Sequence, residues 1–181
     1  MSEQVAVFGG SFDPPHVGHT LVAGYVLAAH PVDRVLVVPC EHHPFDKQLA
    51  PFADRLAMCR LAMADLRRVE VSDIAGEVGG SGRTLELLEA LRERQPAVQL
   101  RLVIGSDLLG ETARWYRFDR IEQLAPPLIV QRGGHAREDD EPVLPEVSST
   151  DIRGCFSQGR SVAGRVTPAV AAYATEHGLY R

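Results

Sequence analysis

The sequence predicts an α/β fold, a Rossmann-like doubly wound parallel sheet followed by C-terminal helices. Five short apolar runs recur along the chain, continuous rather than alternating, as strands buried on both faces require. Between them lie helix-length segments with apolar residues three and four apart, and repeated β-α units of this kind wind helices onto both faces of a parallel sheet. With 181 residues, 45% of them hydrophobic, the chain suits a single domain over residues 1–181 with a sizeable core. A sheet of this type keeps its ligand crevice at the carboxyl ends of the strands.

In chain order, the strands are expected at Val5–Phe8, Arg34–Val38, Val69–Ser72, Leu100–Ile104 and Leu128–Gln131. Helices are expected at His19–Ala29, Asp54–Leu66 and Thr84–Arg94, with Asp54 and Thr84 as N-caps whose side-chain oxygens can hold the first free N–H groups. A shorter helix covers Phe118–Leu124, and two more follow the last strand, Ser149–Phe156 and Pro168–His177. Pro168 suits a first helical turn and Gly178 a C-terminal stop. Two strand exits read as mobile loops: Gly76–Gly82, with four glycines, and the acidic, proline-containing stretch Gly133–Pro145.

Composition narrows the setting. No stretch approaches the roughly 18 consecutive apolar residues of a membrane span, and Met1–Gln4 lacks the basic start of a secretory signal, so a cytoplasmic protein without a membrane partner is expected. Cys40, Cys59 and Cys155 are odd in number and scattered, which suits reduced thiols. A net charge of −5 gives no general attraction to nucleic acid, so an anionic ligand must meet a locally positive site.

Such a site is legible at the first strand exit, Gly9-Gly10-Ser11-Phe12-Asp13-Pro14-Pro15-His16-Val17-Gly18-His19. Backbone N–H groups of Gly9 and Gly10 can approach an anion closely, and a helix beginning near Gly18 presents unpaired N–H groups and the positive end of its dipole. His16 and His19 stand at that helix mouth as donors to phosphoryl oxygens. The spacing matches neither G-x-x-x-x-G-K-[ST] nor G-x-G-x-x-G, which argues against an ordinary NTPase P-loop or dinucleotide fingerprint. At the fourth strand exit, Asp107 behind Gly105 is placed to accept hydrogen bonds from ribose hydroxyls. Trp115, in a polar segment with Arg114, Tyr116 and Arg117, is placed to stack on a flat heterocycle. Cys40-Glu41-His42-His43 lacks a second ligand pair at suitable spacing, so no protein-held metal is expected.

His16-Val17-Gly18-His19 resembles the H-x-G-H signature of the nucleotidylyltransferase superfamily, and Val147-Ser148-Ser149-Thr150-Asp151-Ile152-Arg153 resembles its second signature, I-S-S-T-x-I-R. Within that superfamily the chain resembles the bacterial nicotinate-nucleotide adenylyltransferases. Ile104-Gly105-Ser106-Asp107 with Trp115-Tyr116 matches their G-[AS]-D and tryptophan segments, and Glu176-His177-Gly178-Leu179-Tyr180-Arg181 matches their C-terminal ending. The resemblance implies a sheet of nucleotidylyltransferase type and an enzyme of NAD biosynthesis. Its partners would be ATP and nicotinate mononucleotide, its products deamido-NAD and pyrophosphate.

The same resemblance implies the roles. His16, His19, Lys47 and Arg153 are the catalytic set: the histidines contact the triphosphate around the reacting phosphorus, Arg153 and the amides of Ser149 and Thr150 grip the β- and γ-phosphates, and Lys47 assists near the leaving group. Gly9, Gly10, Ser11, Phe12, Gly18, Gly105 and Asp107 complete the ATP site. Thr84, Arg83, Trp115 and Tyr116 form the nicotinate mononucleotide site. Mg2+ is the implied cofactor, bound mainly through ATP phosphates, which suits its habit of keeping waters. Elementary chemistry asks for the same residue types. A phosphate monoester is already mostly dianionic at neutral pH and needs no general base, so what remains is positioning and neutralisation of charge on the transferred phosphoryl group.

Two segments depart from the family pattern. His43-Pro44-Phe45-Asp46-Lys47 stands where a P-P-H-K-like segment is usual, keeping the lysine and losing the histidine before it. Gly82-Arg83-Thr84 stands where Ser-Tyr-Thr is common, placing a cation where an aromatic ring is usual. The alternatives are an adenylyltransferase taking nicotinamide mononucleotide or phosphopantetheine, and a nucleotide-binding sensor without turnover.

Overall fold

The computed structural model describes residues 2–42, 48–133 and 142–181. Five parallel strands, β1 (Gln4–Gly10), β2 (Arg34–Pro39), β3 (Val69–Val71), β4 (Gln99–Gly105) and β5 (Pro127–Val130), form one sheet in the order β3-β2-β1-β4-β5. The helices are α1 (Val17–Ala29), α2 (Phe52–Met63), α3 (Ile74–Val78), α4 (Thr84–Arg94), α5 (Phe118–Leu124), α6 (Ser149–Ser157) and α7 (Pro168–Glu176), with a 3-10 helix at Ser106–Arg114. The expected doubly wound sheet is present.

Strand alternation explains why both faces must be covered. Val5, Val7, Leu36, Val38, Leu100, Leu102 and Ile104 turn to one face, where Leu85, Leu88 and Leu91 of α4 and Ile121 of α5 pack on them. Ala6, Val35, Val37, Val103, Leu128 and Val130 turn to the other and meet Val22, Ala23 and Val26 of α1 with Cys59 and Met63 of α2. Successive side chains point to opposite faces, so only runs apolar at every position can fill both layers. On α2 a second apolar stripe lies one residue away: Met58 and Ala62 pack against Ile152 and Cys155 of α6 and Val170 and Ala174 of α7. The C-terminal helices therefore form a further layer, held to the sheet through α2.

Several expected boundaries move, each for a local reason. β1 continues past Phe8, because Gly9 and Gly10 stay in register with Val38 and Pro39, and the Gly10 carbonyl accepts from the Cys40 N–H at 2.9 Å. The two glycines are thus a strand end, and the turn proper begins at Ser11. α1 begins at Val17, with His16 in extended conformation as its N-cap. Neither Asp54 nor Thr84 is a cap. α2 starts earlier, behind Pro51, and the Asp54 carboxylate accepts instead from the Tyr173 hydroxyl of α7 at 2.9 Å. Thr84 is the first helical residue of α4 behind N-cap Arg83, and Glu86 reaches back to the N–H and hydroxyl of Ser81. α2 stops at Met63, whose carbonyl accepts a tighter turn bond from Leu66. Gly76–Gly82 is not loop throughout, since its first three residues belong to α3. Of Gly133–Pro145, residues 134–141 lie outside the described residues, and the ends are tied by Gly133 N–H to the Leu144 carbonyl and Leu144 N–H to the Gln131 carbonyl, each at 2.9 Å. The three cysteines are free, and no described helix is long and apolar enough to cross a membrane.

The sheet also prepares a crevice. β1 pairs with β2 as far as Gly10 with Pro39, but with β4 only as far as Val7 with Leu102, although β4 runs on to Gly105. The two central strands thus part at their carboxyl ends, where successive connections leave toward opposite faces, and ligands of such sheets bind at that switch point.

Candidate active site

Beyond Gly10 the chain folds tightly over the parted strands. Phe12 is buried and left-handed, at φ 48°, with its ring against Phe8 at 5.4 Å and His19 at 4.7 Å between centroids. A positive φ is costly for a bulky residue and persists only where the surroundings fix it. Phe12 thus supports His19 from below, and its side chain is closed to a ligand. Two glycines are demanded by close approach: a Cβ at Gly10 would meet the Phe12 ring at 3.1 Å, and one at Gly18 would meet the His16 ring at 3.0 Å. At Gly9 an added Cβ would meet nothing within 4 Å, so that backbone faces open space.

His16 and His19 are brought face to face, with ring centroids 3.7 Å apart and an interplanar angle of 25°. Burial, aided by the positive charge of Arg132, lowers the His16 pKa from 6.5 to about 4. His19 is held well below its ordinary value by burial first, then by His16 and Arg132. Both imidazoles are neutral at neutral pH. The His16 N–H donates to Nδ1 of His19 at 3.2 Å, which leaves the single ring proton of His19 on Nε2. His19 is therefore a neutral N–H donor rather than a cation. Nδ1 of His16 is buried with no protein partner among the described residues, an atom that a ligand can satisfy.

The second signature docks on this turn. Ser148 caps α6 by accepting from the Asp151 N–H at 3.3 Å, and the Ser149 hydroxyl donates to the Pro14 carbonyl at 3.1 Å. Arg153, one turn along α6, donates to the Asp13 carbonyl at 2.7 Å and to the Thr150 hydroxyl at 3.2 Å. Ser149, Thr150 and Arg153 thus gather beside His16 and His19 at one end of the crevice. On α1 the Val17 N–H is occupied by the Arg165 carbonyl at 2.9 Å, so the helix mouth offers fewer free donors than the bare turn suggests.

The other end is a cavity of about 600 Å³, a volume ordinary for a nucleotide-sized ligand, lined by Gly9, Gly10 and Ser11 and, across from them, by Thr84, Arg83, Trp115 and Tyr116. Trp115 is half-buried, edge-on to Phe118. Arg83 is exposed, and its guanidinium lies 4.5 Å over the exposed Tyr116 ring at the cavity rim. Asp107 holds an ion pair with Arg132 at 2.8 Å through Oδ2, while its buried Oδ1 has no protein partner among the described residues. A Cβ at Gly105 would overlap that oxygen, which is why glycine stands there. Lys47 lies outside the described residues.

Two cations went unnoticed in the sequence. Arg132 stands two residues beyond β5, and its position at a strand exit was the available signal. Arg55 is buried on the apolar face of α2 and donates to the carbonyls of Ala50, Ser11, Cys40 and Glu41 at 2.7–3.1 Å, stapling the first two strand exits together. An arginine inside an apolar helical stripe was its only mark.

The whole arrangement has counterparts. The cytidylyltransferase-like family model matches residues 7–154. The chain is 44% identical over 181 residues to the probable nicotinate-nucleotide adenylyltransferase of Anaeromyxobacter dehalogenans, with 98% of this chain and 97% of that one covered. It is 43% identical to the protein of that name from Myxococcus xanthus, with 98% and 94% covered. A solved structure of Plasmodium falciparum nicotinic acid mononucleotide adenylyltransferase, complexed with NaAD, matches at TM-score 0.82 over 98% of this chain and 97% of that one; at 19% identity this is a likeness of fold. With a family match that begins in β1 and ends beside Arg153, and identity sustained over nearly the full length, the chain belongs to the cytidylyltransferase-like family, among its nicotinate-nucleotide adenylyltransferases.

Proposed function

We propose that this chain, as a single domain over residues 1–181, transfers the adenylyl group of ATP to nicotinate mononucleotide, releasing pyrophosphate and forming deamido-NAD. The observation that carries the reading is the convergence, at one crevice, of a phosphate end built from neutral histidines and Arg153 with a cavity walled by Trp115, Tyr116 and Thr84. An oxygen of the acceptor's 5′-phosphate attacks the α-phosphorus of ATP, the bond from that phosphorus to the bridging oxygen breaks, and pyrophosphate leaves. The nucleophile is ionised already, so the protein supplies orientation and electrostatic stabilisation. Nε2–H of His19 donates to an oxygen of the transferred phosphoryl group, and the orphaned Nδ1 of His16 completes its bonding at the same ligand. Arg153 and the amides of Ser149 and Thr150 hold the outer phosphates, with Lys47 beside the leaving group. The backbone of Gly9 to Phe12 and Gly18 lines the path of the chain of phosphates.

Asp107 offers its unpartnered Oδ1 to a ribose hydroxyl, and Gly105 leaves the room. At the acceptor end, Trp115 stacks on the pyridine ring, and Thr84, with backbone donors near Tyr116, meets the carboxylate. Arg83 adds positive charge at the rim. The donors at the phosphate end are imidazole, guanidinium and amide groups rather than carboxylates, which fits Mg2+ held by ATP's own phosphate oxygens. When bound there it neutralises charge on the triphosphate. Free cysteines support the cytoplasm as the setting.

A pyrophosphate-release assay with ATP, Mg2+ and a panel of nicotinate mononucleotide, nicotinamide mononucleotide and phosphopantetheine tests the reading. The highest kcat/KM is expected with nicotinate mononucleotide. A preference for either other acceptor, or no release with any, overturns it.

A further inference from the structure

We infer that Tyr180, at the end of the chain, is a positioning residue for the triphosphate: its hydroxyl occupies the Asp13 carboxylate and thereby keeps Arg153 available to ATP. The inference rests on the reading of Arg153 as a phosphate ligand. Asp13 is a carboxylate 2% exposed, inside the turn that carries the histidines. Its Oδ1 accepts from the Tyr180 hydroxyl at 2.7 Å and from the Ala50 N–H at a longer 3.3 Å. Its Oδ2 lies 3.9 Å from the Arg153 guanidinium, at the outer limit of an ion pair, while the same nitrogen donates to the Asp13 carbonyl at 2.7 Å. A buried carboxylate must find donors. Here the good donor is Tyr180, and among the described residues Arg153 is bonded only to the Asp13 carbonyl and Thr150, its charge held beside the acid and not captured by it.

The chain end is built to deliver that hydroxyl. Gly178 and Tyr180 both take positive φ, at 64° each, so the chain doubles back after α7. The Tyr180 ring then packs at 5.7 Å from Phe156 of α6, the helix that carries Arg153. Burial and the adjoining carboxylate push the Tyr180 pKa up, so the hydroxyl stays a donor. Without it, Asp13 is left, among the described residues, with one long bond and an arginine within a short side-chain rotation. The carboxylate then closes on Arg153 and draws the guanidinium out of the crevice.

The test is Tyr180→Phe, which removes one oxygen and keeps the ring packing, alone and combined with Asp13→Asn, which removes the competing charge. Calorimetric titration with ATP and Mg2+ is expected to show affinity about tenfold weaker in Tyr180→Phe. KM for nicotinate mononucleotide should stay within about twofold, since the cavity end is untouched. In the Asp13→Asn background the same Tyr180→Phe change is expected to alter ATP affinity by less than about twofold. An equal loss in both backgrounds makes Tyr180 merely structural and overturns the inference. Should Asp13→Asn not fold, the KM split in Tyr180→Phe decides alone: parallel loss at both substrates, or no loss at ATP, overturns it. Wild-type protein that fails to bind ATP overturns the proposed function itself, whereas wild-type binding with unchanged affinity in Tyr180→Phe overturns only the role of Tyr180.

Discussion

Replacing His16 with Asn is expected to flatten the acid dependence of folding stability. The imidazole is 3% exposed, and its pKa falls from 6.5 to about 4 chiefly through burial, so a proton binds the unfolded chain more tightly than the folded one. A buried histidine kept neutral destabilises the fold as pH drops below its unfolded pKa, and the loss stops growing once the folded pKa is passed. A shift of this size corresponds to about 3 kcal/mol in full, of which about 2 kcal/mol is already lost between pH 7 and pH 5. Asn is polar enough for the site and does not titrate. Urea unfolding at pH 7 and pH 5, on wild type and His16→Asn, gives the two differences directly. The wild-type drop should exceed that of the variant by about 2 kcal/mol. His19 adds a drop of the same sign in both proteins, and a smaller one in the variant, because His16 is among the causes of its lowered pKa. Equal drops in both proteins would refute the claim that His16 is desolvated and neutral, and with it the assignment of neutral donors to the phosphate end.

Four further outcomes are expected. His19→Ala removes an N–H donor to the transferred phosphoryl group and should lower kcat by about 10²-fold with little change in ATP affinity; kcat near wild type would remove His19 from catalysis. Gly18→Ala should gain about 1 kcal/mol by helix propensity alone, but its methyl meets the His16 ring at 3.0 Å, so kcat is expected to fall about tenfold; unchanged kcat would show that the stacked pair tolerates displacement. Trp115→Ala should raise KM for nicotinate mononucleotide at least tenfold, from lost stacking, while Arg83→Ala should lower the acid-over-amide preference in kcat/KM several-fold; an unchanged ratio denies Arg83 any part in recognition.

The strands were legible because a short run that is apolar at every position, bounded by turn residues, suits a strand covered on both faces, and the paired signatures marked two segments that the fold brings together. What escaped is long-range. Asp54 has the composition of a cap and is instead the acceptor for Tyr173, a partner more than a hundred residues away that no local rule reveals. Thr84 fails as a cap because the helix begins one residue earlier than the hydroxyl would need. Arg55 and the bond between Asp13 and Tyr180 are products of closure: each joins chain segments that meet only once the sheet and the C-terminal layer are assembled. The electrical state of the histidines was equally hidden, since their neutrality comes first from burial in the assembled fold, with His16 adding to it at His19 and Arg132 at both. Lys47 was expected in the catalytic set and belongs to residues outside those described.

The parting of β1 from β4 divides inheritance as well as space. His16, His19 and Arg153 hang from the exit of β1, α1 and α6, whereas Thr84, Trp115 and Tyr116 on the far cavity wall hang from α4 and the segment after β4. The far wall can be changed with the histidine turn left in place, because β1 and β4 share no ladder beyond Val7 and Leu102. With Ser106 and Asp107 kept, because they hold Arg132, replacing residues 79–84 and 108–117 is expected to change the acceptor while the histidine turn stays fixed. Grafting those two segments from a relative with a different acceptor is the shortest route to that change in the laboratory.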